Sequence, residues 1–496
     1  MVNEKRVQLI VENFGPVRKG KVHLKPLTVF IGSNNSGKSY IAQLIYALTQ
    51  GLRGRIPGSV PRIEPGTRQE SQRIRKDILT LINRATKEKR GIRFDEFPAS
   101  VRKLCDKWLE EMIKRMPDTL EEAIRDYFGC EDARELVRQD EHSRTLRVSI
   151  KQDRVDVPFL DFKMRKAQRK SKIEWNLPAF SSYQISRRIN IGEFEMEIYD
   201  LADFIHMFMM DWWRSVLREN GIVDSSAYYL PAARSGILQG WQLFASMFAE
   251  VSRRSVGLRR LEVPPFSGVA GDFLQVLWER LLSRPYRLGR KGGLKTDSVL
   301  KVLEGDIFKG RVILEGERKE APLLLYESHD MKIPLHRASS MVAELAPLDL
   351  WIKEILNPGN LLIIDEPEAH LHPASQRAIA RVITRLVRAG VKVLVTTHSP
   401  LILQQLSNYI MASSVDEKYR LKYGIKKEDI LKQGEVGVYL FKMTELGTQI
   451  KEVEIEEGFG ISEEDFVRVY DEIGEETYIM SLEHPKNRED VHADTT

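Results

Sequence analysis

Hydrophobic and polar positions in this 496-residue chain change period several times, and each change marks an element. Residues 7–11 and 20–24 are strand-like on either side of Asn13-Phe14-Gly15-Pro16, which predicts a hairpin. Residues 27–31 form a β-branched run suited to a short buried strand, and apolar positions over 40–48 recur at helical spacing. Residues 50–140 read as mainly helical, with amphipathic stretches at 74–87 and 101–116 and breaks at Pro57, Pro61, Pro65 and Pro98. β-like runs at 146–150, 172–177 and 194–199 precede an apolar, aromatic helix over 201–218, a stripe suited to core and wide enough for a subunit interface. Residues 228–236 read as a strand entering a polar turn, and 272–282 as a helix between loops at Pro264-Pro265 and Gly292-Gly293. Strands at 309–314 and 323–327 can pair, before a helix entered through Ser339 and Ser340. Further on come buried strands at 361–364 and 391–397 around a helix over 374–389, then a hairpin at 436–441 and 449–455. A helix with a Ser462-capped acidic first turn closes the pattern.

Between the run at 27–31 and the helix from Tyr40 lies Gly32-Ser33-Asn34-Asn35-Ser36-Gly37-Lys38-Ser39. A G-x-x-x-x-G-K-S segment between a strand and a helix has the context a phosphate-binding loop requires. Backbone N–H groups and a helix N-terminus make an anion socket there. Lys38 brings a point charge to the β- and γ-phosphates, and Ser39 a hydroxyl ligand for Mg²⁺.

The run at 361–364 ends in Asp365-Glu366, two carboxylates at the C-terminal end of a buried strand, where open α/β sheets bind ligands. Asp365 is placed for the Mg²⁺ shell, and Glu366 to polarise an attacking water. Pro367-Glu368-Ala369-His370-Leu371-His372-Pro373 follows, and the next strand ends in His398. His370 and His372 have no supporting ligand set for a metal. Arg234 is suited equally to a phosphate and to a core carboxylate, and Gln239 and Gln242 are both candidates for a sensing glutamine.

Composition narrows the class. Hydrophobic content of 42% and charged content of 30% describe a globular chain long enough for two or three cores. No apolar run approaches the ~20 residues that span a membrane, and the N-terminus has no signal-type core, so a cytoplasmic location is expected. Cys105 and Cys130 make neither a disulfide framework nor a zinc site. The net charge of +5 divides into −11 for residues 451–496 and +16 for the rest. Basic stretches at 163–172 and 253–291 therefore make DNA, RNA or another polyanion a candidate partner, beside the plainer reading of a solvated loop.

The start of the chain, with strand, Asn-Phe-Gly, two strands and G-x-x-N-x-G-K-S, resembles RecF-like and SMC-like members of the ABC-type P-loop ATPases. The later Asp-Glu-Pro-Glu-Ala-His-Leu-His-Pro and Thr-His-Ser-Pro segments resemble the OLD-family branch, whose members occur in anti-phage defence systems such as PARIS and Septu; Tyr-hydrophobic-Pro-Ala-x-Arg at 229–234 resembles it too. The resemblance implies an α/β ABC-type core, a mixed sheet flanked by helices, with a large mainly helical insertion containing some β. The core would comprise 1–50 and 225–475, with a signature lobe about 240–350. Residues 51–224 would be the inserted lobe and 476–496 an acidic, flexible tail, without a TOPRIM nuclease. It further implies ATP and Mg as cofactors, a nucleotide pocket from Gly32 to Tyr40, Asp365 and Glu366 as the Walker B pair, and His398 as the switch histidine. Ser340, with Ser339 as second choice, stands where the signature serine contacts the partner's γ-phosphate, although Met341 replaces the usual glycine. The implied activity is ATP hydrolysis by a dimer or higher oligomer that controls a separate toxin or nuclease; DNA repair or chromosome maintenance of RecF type and a non-hydrolysing ATP-binding scaffold are the alternatives.

Overall fold

The computed structural model describes residues 7–54, 61, 67–88, 92–138, 144–152, 155, 157–168, 170–177, 184–185, 201–220, 226–238, 240, 268–277, 296–315, 323–329, 331–456, 458, 460–461 and 464–482. The first half contains β1 (Val7–Phe14), β2 (Val17–Leu24), β3 (Leu27–Gly32), α1 (Lys38–Leu52), α2 (Arg68–Lys87), β4 (Ile92–Arg93), α3 (Ala99–Phe128), β5 (Thr145–Gln152), β6 (Leu160–Arg165), β7 (Lys172–Trp175), β8 (Gln184–Ile185), α4 (Leu201–Glu219) and β9 (Ala227–Leu230). The second contains α5 (Gly268–Leu277), β10 (Arg311–Glu315), β11 (Leu323–Ser328), β12 (Met331–Pro334), α6 (Ser340–Glu354), β13 (Leu361–Asp365), α7 (Pro373–Arg388), β14 (Lys392–Thr396), α8 (Pro400–Met411), β15 (Val436–Lys442), β16 (Thr448–Val453), β17 (Ile455–Glu456), β18 (Gly460–Ile461) and α9 (Glu464–Leu482).

Eleven strands form one mixed sheet in the order β7-β6-β5-β1-β2-β16-β15-β3-β14-β13-β9. The β15-β3-β14-β13-β9 half is parallel, and the β7-β6-β5-β1-β2 half antiparallel, with the antiparallel β15–β16 hairpin joining them. Parallel strands covered on both faces lose the polar alternation of a half-exposed strand. Accordingly Leu361 and Ile363 of β13 face one hydrophobic cluster while Leu362 and Ile364 face the other. Leu394 of β14 and Phe30 of β3 join the first cluster with α1, α3 and α4; Val393, Val395, Val29 and Ile31 join the second with α6, α7 and α8. The Leu201–Glu219 helix is core, with Phe204, Phe208, Trp212 and Trp213 all buried.

The expected α/β class with a mixed sheet and flanking helices is what the chain adopts. Three features differ from the sequence pattern. Strands β5–β7 extend the main sheet through β1, and α3 and α4 share a core with α1, so residues 99–219 do not bury a core apart from the phosphate-loop helix. Helix α3 runs through Pro117, where the missing N–H would face the carbonyl of exposed Ile113, a position water can satisfy. Finally, α9 continues to Leu482, into the stretch expected as a tail. The runs at 194–199 and 278–282, Ser462 and the terminus from 483 lie outside the described residues.

Of the two basic stretches, 253–291 is described only over α5, while 163–172 is the β6–β7 hairpin. There Lys163 pairs with Asp161 and Glu174, and Arg165, Lys166, Lys170 and Lys172 are exposed. No described helix is long and apolar enough to cross a membrane.

Candidate functional site

Strands β3, β14, β13 and β9 are parallel neighbours, so Gly32, Thr396, Asp365 and Leu230 end together at one edge, where open α/β sheets hold ligands. Gly32 leaves β3 with φ 138°, and a Cβ there would lie 2.6 Å from the Phe441 carbonyl oxygen. Asn35 at φ 60° and Gly37 at φ 96° turn the loop left-handed on either side of Ser36, as a backbone anion nest requires. A Cβ on Gly37 would meet Pro16 at 2.7 Å, so the β1–β2 turn fixes the loop from behind. Ser33, Asn34 and Asn35 are exposed; Ser36, Gly37 and Lys38 are buried. Tyr40 stands half clear of the surface and leans on Phe14 and Phe128, with ring centroids 6.2 and 5.4 Å away.

Lys38 Nζ donates to the carbonyls of Gly32 and Ser33 at 2.9 and 2.8 Å, and lies 3.4 Å from His398 Nδ1. His398 Nε2 is 3.1 Å from Glu366 Oε1, so lysine, histidine and glutamate form a chain across the ends of three strands. With Lys38 donating to Nδ1, the histidine proton belongs on Nε2, directed at Glu366. Burial lowers the Lys38 pKa to about 8, against the opposing pull of Glu366, Asp365 and Glu368. The His398 hydrogen bond holds Glu366 below the usual glutamate range despite partial burial, with Lys38 and Arg234 adding to it.

Asp365 is the polar anchor of the edge. Its Oδ1 accepts from Ser39 Oγ at 2.8 Å and from Thr396 Oγ1, and its Oδ2 from the Tyr229 hydroxyl at 3.2 Å. Burial raises its pKa against these donors. Glu368 accepts from the backbone N–H groups of His398 and Ser399 at 2.5 and 3.1 Å and from Thr397 Oγ1 at 2.8 Å, which fixes the turn carrying His398. Behind the strand ends, wholly buried Arg234 donates to the carbonyls of Asp365 at 3.0 Å and Glu344 at 2.8 Å, and its Nε is 3.1 Å from Glu344 Oε2. Between the phosphate and the core carboxylate, the structure gives Arg234 the carboxylate.

The phosphate loop, Asp365, Glu366 and His398 thus meet at one edge. Ser339 and Ser340 start α6, both exposed; Ser339 Oγ caps the helix, accepting from Val342 N–H at 3.4 Å. The Met341 sulfur accepts from Ser375 Oγ at 3.7 Å, so its side chain turns toward α7 and away from the helix N-terminus. His372 caps α7 and His370 is exposed at φ 60°, neither with metal-ligating company. Gln239 and Gln242 lie outside the described residues. Tyr229 and Thr396 were not singled out from the sequence; the available signal was their place at or near the ends of strands flanking Asp365.

An ATP–Mg²⁺ group fits this edge on chemical grounds. Mg²⁺ takes few protein ligands, hard oxygens such as Ser39 Oγ and Asp365, and keeps waters and phosphate oxygens for the rest. No cluster of three or more His, Cys, Asp or Glu that could hold a metal occurs among the described residues. Residues 7–186 match the family described as AAA ATPase domain, and residues 290–404 the family described as AAA domain, putative AbiEii toxin, Type IV TA system. The first match contains the phosphate loop, the second Asp365, Glu366 and His398.

Both matched stretches are thus similar to AAA-type ATPase domains. Similar solved structures include an SMC head bound to the C-winged-helix domain of ScpA (11% identity, 91% of this chain and 98% of that chain, TM-score 0.39). Others are the SMC head domain from Thermotoga maritima (10%, 91% and 100%, 0.35) and an SMC head with an extended coiled coil bound to the C-terminal domain of ScpA from Pyrococcus furiosus (11%, 95% and 99%, 0.37). No curated protein matches the chain.

Two outcomes follow for this site. Arg234→Met leaves Glu344 buried without its guanidinium, and removing one partner of a buried pair costs about 3–5 kcal/mol. Urea unfolding should show that loss, with most of it recovered in the Arg234→Met/Glu344→Met double variant; a single-variant loss under about 1 kcal/mol would contradict the pairing. For Lys38, phosphate charge favours the ammonium, so ATP binding should take up a proton near pH 8, where about half the lysines are neutral, and almost none near pH 6.5. Affinity should therefore fall as pH rises above about 8. Calorimetry in two buffers of different ionisation heat reads the uptake, and equal heats at pH 8 would disprove it.

Proposed function

We propose that the chain binds ATP–Mg²⁺ between two copies of itself and hydrolyses it. Closure and release would then regulate a separate effector protein, a toxin or nuclease, in anti-phage defence. The observation that carries the catalytic part is the Lys38–His398–Glu366 chain beside the Ser39–Asp365 pair. In this reading the loop from Gly32 to Ser39 cradles the phosphates, with Tyr40 beside it, and Lys38 exchanges carbonyl partners for phosphate oxygens. Bound Mg²⁺, held by Ser39 and Asp365, supplies charge neutralisation. Glu366 is ionised at neutral pH and orients and deprotonates the attacking water; His398 holds Glu366 and senses the γ-phosphate. Ser340 reaches the partner's nucleotide from the α6 N-terminus, because Ser339 is engaged as the cap and Met341 faces Ser375.

The defence role rests on the OLD-family resemblance, with support from the description of the family matched by 290–404 as a putative AbiEii toxin. The catalytic assignment has a direct test. Glu366→Gln should keep ATP affinity, lower turnover at least ~100-fold and accumulate an ATP-bound dimer in size-exclusion chromatography. Ser340→Arg in that background should return the chain to monomer. Unchanged turnover in Glu366→Gln would remove the glutamate from its role.

A DNA-maintenance function is the second reading, favoured by the exposed cations of the β6–β7 hairpin. It expects a DNA affinity that falls steeply with salt, and less steeply after Arg165→Glu, Lys166→Glu and Lys170→Glu. An affinity flat in salt would eliminate it.

A further inference from the structure

Away from the nucleotide site, exposed apolar side chains are unevenly spread. Of the sixteen large apolar residues exposed among the described ones, eight fall in two short segments, 415–423 and 473–480. Both segments leave from the same part of the fold. The first follows the C-terminal end of α8, and the second belongs to α9, whose preceding strand β18 is pinned there by Ile461 N–H donating to Ser407 Oγ.

The α9 segment is acidic and apolar. Residues 472–481 are exposed on every side, with Ile473, Tyr478, Ile479 and Met480 between 50% and 71% exposed. A Cβ on Gly474 would have nothing within 4 Å. Ile473 and Met480, seven apart, share a helix face. The whole helix carries six Asp/Glu against one Arg. A helix end with an internal glycine and no packed face is marginal in water, because most helical stability comes from burying an apolar face. The second segment has the opposite charge. Tyr419, Leu421 and Tyr423 are 60%, 54% and 73% exposed around the short helix Glu417–Lys422, and residues 415–427 hold five Lys/Arg against two Asp/Glu.

We propose that α9 of one copy docks on the 415–427 segment of a second copy, and reciprocally, as a two-fold pair. Charge complementarity, −5 for α9 and +3 for 415–427, selects this occupant over another acidic or neutral partner. A second copy suits the geometry better than folding back within one chain. The helix is continuous from Glu464, so its exposed half is carried about 12 Å or more from its anchor at ~1.5 Å per residue, and docking in cis requires it to break. The contact uses no residue of the nucleotide site, so it forms without ATP and is independent of the closure proposed above.

The test uses the full chain in a Lys38→Ala background, without nucleotide, with mass measured by light scattering at about 0.05 M and about 0.5 M salt. A dimer is expected at low salt and monomer at high salt. One variant reverses the helix (Glu472→Lys, Glu475→Lys, Glu476→Lys) and another the docking segment (Lys418→Glu, Lys422→Glu, Lys426→Glu); each alone should be monomeric with unchanged circular dichroism. Mixed in equal amounts they should form a heterodimer, because both reciprocal contacts are then complementary. Met480→Glu, which keeps the charge sign of the helix, should also weaken pairing. Wild-type monomer at low salt, a reversed variant that stays dimeric, or a mixture that stays monomeric would each overturn the proposal. A mass that grows without limit would overturn the two-fold arrangement. Loss of ATP-driven dimers in the Glu366→Gln chain would leave this result untouched.

Discussion

Buried at the end of β13, the Asp365 carboxylate accepts from Ser39 of α1, Thr396 of β14 and Tyr229 of β9. A buried carboxylate short of donors carries a desolvation penalty of several kcal/mol, so all three elements must stand in register before the charge is tolerated. The parallel pairing supplies that register: Asp365 lies opposite Thr396, and Ile364 opposite Leu230. Hydrophobic burial on both sheet faces drives the strands together, and the carboxylate selects the one alignment in which the phosphate-loop helix is held at the same edge.

Beneath that edge the charges are layered. Arg234 neutralises Glu344 and binds the Asp365 carbonyl from behind, so the backbone that presents Asp365 and Glu366 is held by a fully buried cation. In front, Lys38 is held by carbonyls and an imidazole, weaker partners than phosphate, and burial lowers its pKa to about 8. The rear cation is structural because its carboxylate is fully buried with it. The front cation is available because its carboxylate neighbours act on it without a direct ion pair.

The parts of this arrangement legible in the sequence are those that a local pattern decides. An apolar run ending in Asp365-Glu366 and a glycine-framed loop between strand and helix specify position within a few residues, and the fold brings the two to one sheet edge. Partner choice across hundreds of positions was not legible. The β-like run at 146–150 marks a strand, yet nothing in it says that β5 pairs with β1 and continues the main sheet. Likewise Arg234 could be read as a phosphate ligand, because Glu344 sits 110 positions away in an ordinary helix. The amphipathic stretch at 101–116 also gave no sign that the helix continues through Pro117, where water at an exposed turn makes good the lost hydrogen bond.

The two proposed contacts between copies differ in what controls them. The nucleotide-bridged contact draws on charged groups already balanced inside each chain, so it forms only when phosphate offers Lys38 better partners than its own carbonyls. The contact between α9 and 415–427 joins apolar side chains that stand in water on both sides, and its driving force is present regardless of nucleotide. The strand before α9 is tied to α8 by Ile461 N–H donating to Ser407 Oγ. Helix α8 spans both regions, with Ser399 capping its start beside His398, but pairing through α9 draws on no change at that end.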